Sequence, residues 1–371
     1  MPYRPKDIYR GRRKFRVPLT IFLFVLAFLV LGSVGMFYFL QQYIVYDASG
    51  VSLQLPFSAR EEAAVDPSEP TAKPTFEPLT VEVVWEDPDF SQIDLGGWDE
   101  LEAIQARFIT LDTVISSSAL ESAVNAAKGG DWSAVVLEMK DTSGRLAWAS
   151  ASETAMSYGT AGSADVTETI AALHEADMTV AAQISCFADD LMGTRNWPTA
   201  LSYGGGPYRD DDGVYWLDPY NRTIRAYLAD LVRELAAMGF DEIILADLYH
   251  PLAPGELGFG YSVTLQTAAD PVVAVCQSAR RIVEAAAGTG VAVSALLDTT
   301  SLREGQGTQT GQDVDIFWRL FARLYCPTST DMYSSDKELA VEAMNAGDSS
   351  IRFVPVCSLI PEGAVSYMIT G

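Results

Sequence analysis

Residues 239–251 read Gly-Phe-Asp-Glu-Ile-Ile-Leu-Ala-Asp-Leu-Tyr-His-Pro, and this stretch decides the fold. Ile243-Ile244-Leu245-Ala246 is a short run without polar residues, the signature of a strand buried on both faces of a parallel sheet. Just upstream, Ile224, Tyr227, Leu228, Leu231 and Leu235 fall on one face of a predicted helix over 221–238. Asn221 suits its N-cap, and Gly239 suits the left-handed residue that ends it. The strand's carboxyl end then opens onto Asp247, Tyr249 and His250. In an α/β barrel that end carries the chemistry, so these polar residues are the first candidates for a site. A capped strand whose Asp and His merely bond their own loop is the other reading.

Working outward, the same alternation of apolar strand and amphipathic helix runs from about residue 106 to the end. Strands are predicted at 108–114, 134–139, 179–187, 242–247, 291–297, 323–326 and 351–357. Helices are predicted between them at 118–127, 166–176, 221–238, 272–287 and 337–345. Such alternation means a parallel sheet, and seven units in about 250 residues fit a (β/α)8 TIM-type barrel better than an open sheet. Only 364–370 remains for an eighth strand, with no helix in front of it, so that strand is expected to be short or missing. No glycine-rich phosphate loop follows the first strand, which weighs against a dinucleotide fold.

The N-terminal third is different. Residues 1–17 hold seven Lys and Arg against one Asp, and no charged residue occurs from Val17 to Tyr46. An apolar run of this length is enough to cross a bilayer, which needs about 20 residues. We therefore predict a basic cytoplasmic tail over 1–17 and an uncleaved transmembrane helix over 18–46, oriented by the positive-inside rule. Residues 47–105, with Pro56, Pro67, Pro70, Pro74, Pro78 and Pro88 among acidic residues, read as a stalk. The barrel domain would be 106–371, extracytoplasmic.

Of 25 Lys and Arg and 49 Asp and Glu in the chain, 18 and 48 lie beyond the tail. Such an acidic surface repels nucleic acid and anionic lipid. The cysteines at 186, 276, 326 and 357 are too widely spaced for a zinc or redox motif. Each lies in or beside an apolar segment, which predicts buried thiols. A Cys326–Cys357 bridge is the second reading, since both end neighbouring predicted strands. No metal or cofactor is expected, and no Gly-x-Ser-x-Gly elbow supports a serine hydrolase.

Carboxylates are the chemistry that remains. In Val-Val-Leu-Glu-Met-Lys-Asp-Thr-Ser-Gly (135–144) strand alternation puts Glu138 and Lys140 on one face. They suit either an acid/base pair or a structural ion pair inside a barrel. Asp189 and Asp190 follow the third strand, and Asp298 the fifth. Tyr215-Trp216-Leu217-Asp218-Pro219-Tyr220 adds aromatic surface of the kind a sugar cleft needs, or else loop packing. Glycoside hydrolysis is the reaction commonly run by two carboxylates on a barrel. The catalytic candidates are Asp247, Glu138 and Asp298. The substrate-binding candidates are Lys140, Asp141, Asp189, Trp216, Tyr220, Tyr249 and His250.

These motifs resemble a family of bacterial, membrane-anchored glycoside-hydrolase-like proteins with a TIM-barrel domain. The resemblance covers about 106–358 and rests on Val-Leu-Glu-Met-Lys-Asp-Thr-Ser-Gly (136–144), Trp-Leu-Asp-Pro-Tyr (216–220), Gly-Phe-Asp-Glu-Ile (239–243) and Gly-Gln-Asp (311–313). It implies action on polysaccharide or cell-wall glycan. Where the family runs Gln-Phe-Asp-Tyr-Val-Arg-Phe-Pro, this chain has Ile-Leu-Ala-Asp-Leu-Tyr-His-Pro. The family's strand-end Asp thus falls on Ala246, its Gln on Ile244 and its Arg on Tyr249. Asp247 comes one residue late, which turns it to the opposite face unless a bulge restores its aim. Gln183, Ala188, Leu296 and Val356 also replace polar or charged residues of that pattern. The sequence therefore predicts a drier barrel mouth, and a degenerate barrel that only binds glycan or scaffolds other proteins is the alternative to an enzyme.

Overall fold

The structure, a computed structural model, describes residues 44–47, 50–53, 101–255, 257–258, 270–305, 307–344 and 351–371. The chain divides into two units, 1–84 and 85–371. In the first, Ile44–Asp47 and Gly50–Leu53 form an antiparallel hairpin. The predicted membrane span otherwise lies outside the described residues. Its last three residues, 44–46, belong to this hairpin. Among the described residues no helix is long and apolar enough to cross a membrane.

The second unit is a closed barrel of eight strands. In chain order they are β1 (Gln105–Ile109), β2 (Ala134–Lys140), β3 (Thr179–Ser185), β4 (Glu242–Ala246), β5 (Ala292–Leu296), β6 (Leu324–Pro327), β7 (Phe353–Cys357) and β8 (Tyr367–Ile369). Every neighbouring pair is parallel, and β8 closes the ring by pairing Met368 with Ala106 of β1. With helices between its strands, this is the (β/α)8 architecture that the alternation predicts. The eighth strand is present and only three residues long, and β7 runs into it without an intervening helix.

The outer helices are α1 (Leu111–Val114), α2 (Ser117–Lys128), α3 (Glu153–Tyr158), α4 (Thr167–His174), α5 (Asp190–Arg195), α6 (Arg222–Ala237), α7 (Pro271–Ala286), α8 (Thr299–Arg303), α9 (Gly307–Thr310), α10 (Val314–Leu320) and α11 (Tyr333–Met344). The stripe of α6 is buried along its whole length, the Asn221 Oδ1 accepts from Thr223 N at 2.9 Å, and Gly239 takes φ +96°. The first strand is shifted from 108–114 to 105–109. The β-branched and leucine run reads equally as strand or helix, and the Glu138 carboxylate captures Leu111 N at 2.8 Å where the chain turns into α1.

Alternation divides the side chains into two layers. Val135, Leu137, Val180, Ala182, Ile243 and Leu245 face the helices as part of the larger apolar cluster. Ala134, Val136, Ala181, Ile244, Tyr325, Val354 and Met368 fill the barrel interior, with Phe108 and Leu296 packed on them. The interior floor is polar. Glu242 Oε2 meets Arg323 Nη1 at 2.7 Å, while Oε1 accepts from Ser294 Oγ at 2.5 Å and Tyr325 OH at 3.1 Å. All four side chains are buried, so the charge pair is sealed into the amino-terminal end. The four cysteines are free and buried, and the Cys326–Cys357 bridge is not formed. The two sulfur-bearing residues are offset, since Cys326 lies opposite Pro355 in the β6–β7 ladder.

Candidate active site

The mouth of the barrel is organised by what happens after Ala246. Asp247 takes φ +51°, one of two non-glycine residues with a left-handed backbone among those described. Asp is among the few side chains that tolerate this conformation. No bulge intervenes in β4. The backbone reversal itself re-aims Asp247, which strict alternation would have turned outward. Its carbonyl accepts from Phe187 N at 3.2 Å, tying the turn to the end of β3. The carboxyl lies within reach of the Ser185 hydroxyl and the Lys140 ammonium. Burial pushes its pKa up, against these two groups that favour its charged form, and Asp210 adds a further upward push.

Glu138 comes from β2. A register shift between Glu138 and Lys140 breaks the ladder against β3 at Met139. Glu138 therefore stays on the interior face opposite Gln183, whereas Lys140 leaves it. Burial raises the Glu138 pKa, the Leu111 N–H opposes this, and the charges of Asp141, Asp112 and Asp247 raise it again. Glu138 and Asp247 are thus half-buried carboxyls in electrostatic contact, both biased towards the protonated form. The amide oxygen of Gln183 is buried next to Glu138 in the ladder and has no hydrogen-bond partner among the described residues.

Lys140 is placed otherwise than a substrate ligand or a partner for Glu138 would be. Its Nζ is 3.0 Å from Asp189 Oδ2 with both side chains at 0 % exposure, and it donates to Ser185 O at 2.7 Å. Asp189 is the N-cap of α5, accepting from Met192 N at 2.8 Å. Gly144, at φ +84°, packs so closely that a Cβ there would sit 2.0 Å from Asp189 Oδ1. Asp141 holds the rim turn, accepting from Ser143 Oγ at 2.5 Å and from Arg145 Nη2 at 2.8 Å. Most of the 138–144 motif is therefore a platform beneath the mouth, and only Glu138 of it enters the mouth.

The excursion between β3 and α6 walls the other side. Trp216 is 4 % exposed, donates its indole N–H to Asp210 Oδ2 at 2.8 Å, and packs on Tyr249 with ring centroids 4.7 Å apart. It cannot serve as an open stacking platform, because the loop folds back over it. Tyr249 is the ring that reaches the mouth, half-buried among Asp247, Asp298, Asp210 and Tyr208. Tyr220 stands apart, donating to Asp270 O at 3.2 Å near the start of α7. His250 is buried, and burial holds its imidazole down at about 4, so it is neutral near pH 7. The backbone N–H of His250 donates to Thr310 O at 2.7 Å.

Asp298 caps α8 through Thr300 N at 3.2 Å, and its own N–H donates to Gln312 Oε1 at 2.7 Å. Gln312 also donates to Leu248 O and Leu296 O, which clamps the ends of β4 and β5 together. This is the structural meaning of Gly-Gln-Asp at 311–313. Gly311 presses on Pro271 O, and Asp313 caps α10.

Asp210 carried no sequence signal, and Asp218 entered only as part of the motif at 216–220. Asp210 sits in a run of three Asp that reads as a solvated turn. Asp218 lies inside a motif dominated by aromatics, and burial raises its carboxyl to about 6. Among the described residues, no three His, Cys, Asp or Glu side chains come together as metal ligands.

The chain has measurable likeness to other proteins. A hypothetical protein of Ruminiclostridium thermocellum is 25 % identical over 51 % of this chain and 95 % of its own, with a TM-score of 0.45. Ega3 of Aspergillus fumigatus, solved with galactosamine, is 8 % identical over 74 % and 94 %, at 0.43. The glycoside hydrolase domain of PelA from Pseudomonas aeruginosa is 13 % identical over 70 % and 85 %, at 0.38. No curated protein matches. Residues 106–318, more than half of the chain and including β1 to β5 with the mouth carboxylates, match the family described as "Putative glycosyl hydrolase domain", and the chain belongs to that family.

Proposed function

We propose that the barrel cleaves glycosidic bonds in a polysaccharide or cell-wall glycan, using Asp247 as nucleophile or base and Glu138 as the proton donor. The observation that carries this reading is the left-handed turn at Asp247. It places a carboxyl at the mouth in electrostatic contact with a second, desolvated one. Strained backbone at a strand end is where function is commonly found. A carboxyl kept protonated by burial is what a leaving glycosidic oxygen needs, and a second carboxylate serves the sugar's anomeric carbon or a water. Tyr249 supplies an aromatic wall. Asp298, beyond it and committed to the α8 cap, is better suited to hold substrate than to exchange protons.

The apolar surroundings, Ile244, Ala246, Leu296 and Val356, favour the neutral form of Glu138 further. The test is the purified full chain against a panel of wall and plant polysaccharides. Asp247→Asn and Glu138→Gln should each abolish turnover while leaving glycan binding nearly intact. Turnover that survives Asp247→Asn would place the centre elsewhere. Binding without turnover in the unaltered protein would favour the non-catalytic barrel.

The site of action proposed is outside the cell membrane. The uncharged run from Val17 to Tyr46 behind seven cations supports an anchored N-terminus facing the cytoplasm, with the acidic stalk as spacer. Protease added to intact cells should remove everything after about Tyr46 and leave the tail. Recovery of the full-length chain as a soluble secreted protein would defeat it.

A further inference from the structure

The outer wall of the barrel carries a feature that the mouth does not use. Between α6 and α7 runs a groove of about 520 Å³, lined by Arg222, Arg225, Gln277, Arg280, Arg281 and Glu284. Four guanidinium groups meet there on a chain with 25 Lys and Arg against 49 Asp and Glu. Glu284 is the one carboxylate of the lining. It accepts from Arg280 Nε at 2.9 Å and lies 3.8 Å from Arg281 Nη1, so it answers at most part of the charge. Arg225 is fixed in the groove wall. Its Nε donates to Pro219 O and Ser278 Oγ, its Nη1 donates to Gln277 Oε1, and its face packs towards Tyr220. The remaining Nη2 is closed off from solvent and has no acceptor among the described residues. Asp218 attracts Arg225 from the inner side but is hydrogen-bonded to Tyr220 N.

We propose that this groove binds the oxyanions of an anionic polysaccharide strand. The chemistry is that of a guanidinium fork, which matches carboxylate, sulfate or phosphate with two parallel N–H donors. A groove of this volume between two helices of 16 residues exceeds the needs of a single ion. A narrow strand can enter it. A flat lipid surface meets only the rims, where Arg281 and Arg280 are 57 % and 39 % exposed. The acidic surface elsewhere repels polyanions, so a strand held here would be held in one register rather than spread over the molecule. The inference draws on the family's carbohydrate chemistry and not on catalysis at the mouth, so either can fail without the other.

Hydrogen exchange on the full chain reads the site separately from the basic tail. Polygalacturonate or dextran sulfate should slow exchange in 219–228 and 276–286, whereas neutral dextran should not. Arg222→Ala with Arg280→Ala should weaken that protection by about tenfold in ligand concentration, and the Arg222→Lys/Arg280→Lys pair should restore much of it. Protection given equally by neutral dextran, or confined to the tail, would overturn the proposal. So would protection by phosphatidylglycerol vesicles but by neither glycan, which would mean a lipid surface. Protection that grows with protein concentration without polymer would instead assign the groove to a second copy.

Discussion

Asp189→Asn is the most informative single change, because it separates a structural carboxylate from a sugar ligand. Asn preserves shape and keeps an oxygen for Met192 N, so the α5 cap survives. What is lost is the charge opposite Lys140, 3.0 Å away at 0 % exposure on both sides. Coulomb's law at an effective dielectric near 20 gives the pair about 5 kcal/mol as an upper figure. Breaking a buried pair by removing one partner costs roughly 3–5 kcal/mol. The lower end applies here, because Lys140 keeps Ser185 O at 2.7 Å. We expect a loss of about 3 kcal/mol and a fall in midpoint of about 6–12 °C in thermal unfolding. Adding Lys140→Met should recover at least about 1 kcal/mol relative to the sum of the single changes, since the orphaned charge goes with it. An Asp189→Asn protein with an unchanged midpoint and lost glycan binding would refute the reasoning, for it would mean that substrate reaches this carboxylate.

Three further outcomes follow from the same geometry. Gly311→Ala puts a Cβ 2.4 Å from Pro271 O at φ +79° and should cost about 2–3 kcal/mol, read from the urea midpoint. Asp218, raised to about 6, is an acid whose folded pKa lies above its unfolded value near 3.9. Its ionisation therefore opposes folding above pH 6 and has no effect below pH 4, so Asp218→Asn should gain about 2 kcal/mol at pH 8 and nothing at pH 4, by denaturation across that range. A gain that grows as the pH falls would show the sign to be wrong. Glu242→Gln leaves the 4 %-exposed Arg323 without its counter-charge at the barrel floor and should cost about 3 kcal/mol. Turnover per folded molecule should not change, because this network lies at the opposite end from the mouth.

Much of the barrel was legible in the chain because its signals are local. The Ile243–Ala246 run, the α6 stripe and the caps at Asn221 and Gly239 depend on neighbours within a turn or two, and they lie where periodicity puts them. The shift of β1 shows the limit, since 108–111 carries no period and its end is set by Glu138, 27 residues away. The short α5, α8 and α10 were missed for the same reason. Each is too short for a stripe and begins at an Asp cap that sequence alone reads as a turn.

The site divides along the same line. Sequence singled out Glu138, Asp247 and Asp298 because they stand at the carboxyl ends of predicted strands, where a barrel carries its chemistry. It could not tell which face Asp247 presents, for a single left-handed residue undoes the two-residue alternation on which that argument rests. Nor could it separate Glu138 from Lys140, because one shifted pair in the β2–β3 ladder sends Lys140 to Asp189. Sequence left Trp216 as either a sugar platform or loop packing, and its own loop returns through Asp210 to cover it. The four arginines of the outer groove are 59 residues apart at their extremes, and only the packing of α6 against α7 makes them neighbours. Residue types and local periods determine which chemistry is available to this chain. Backbone reversals and the docking of elements distant in sequence decide which of those groups meet, because such contacts depend on tertiary closure and leave no mark on neighbouring residues.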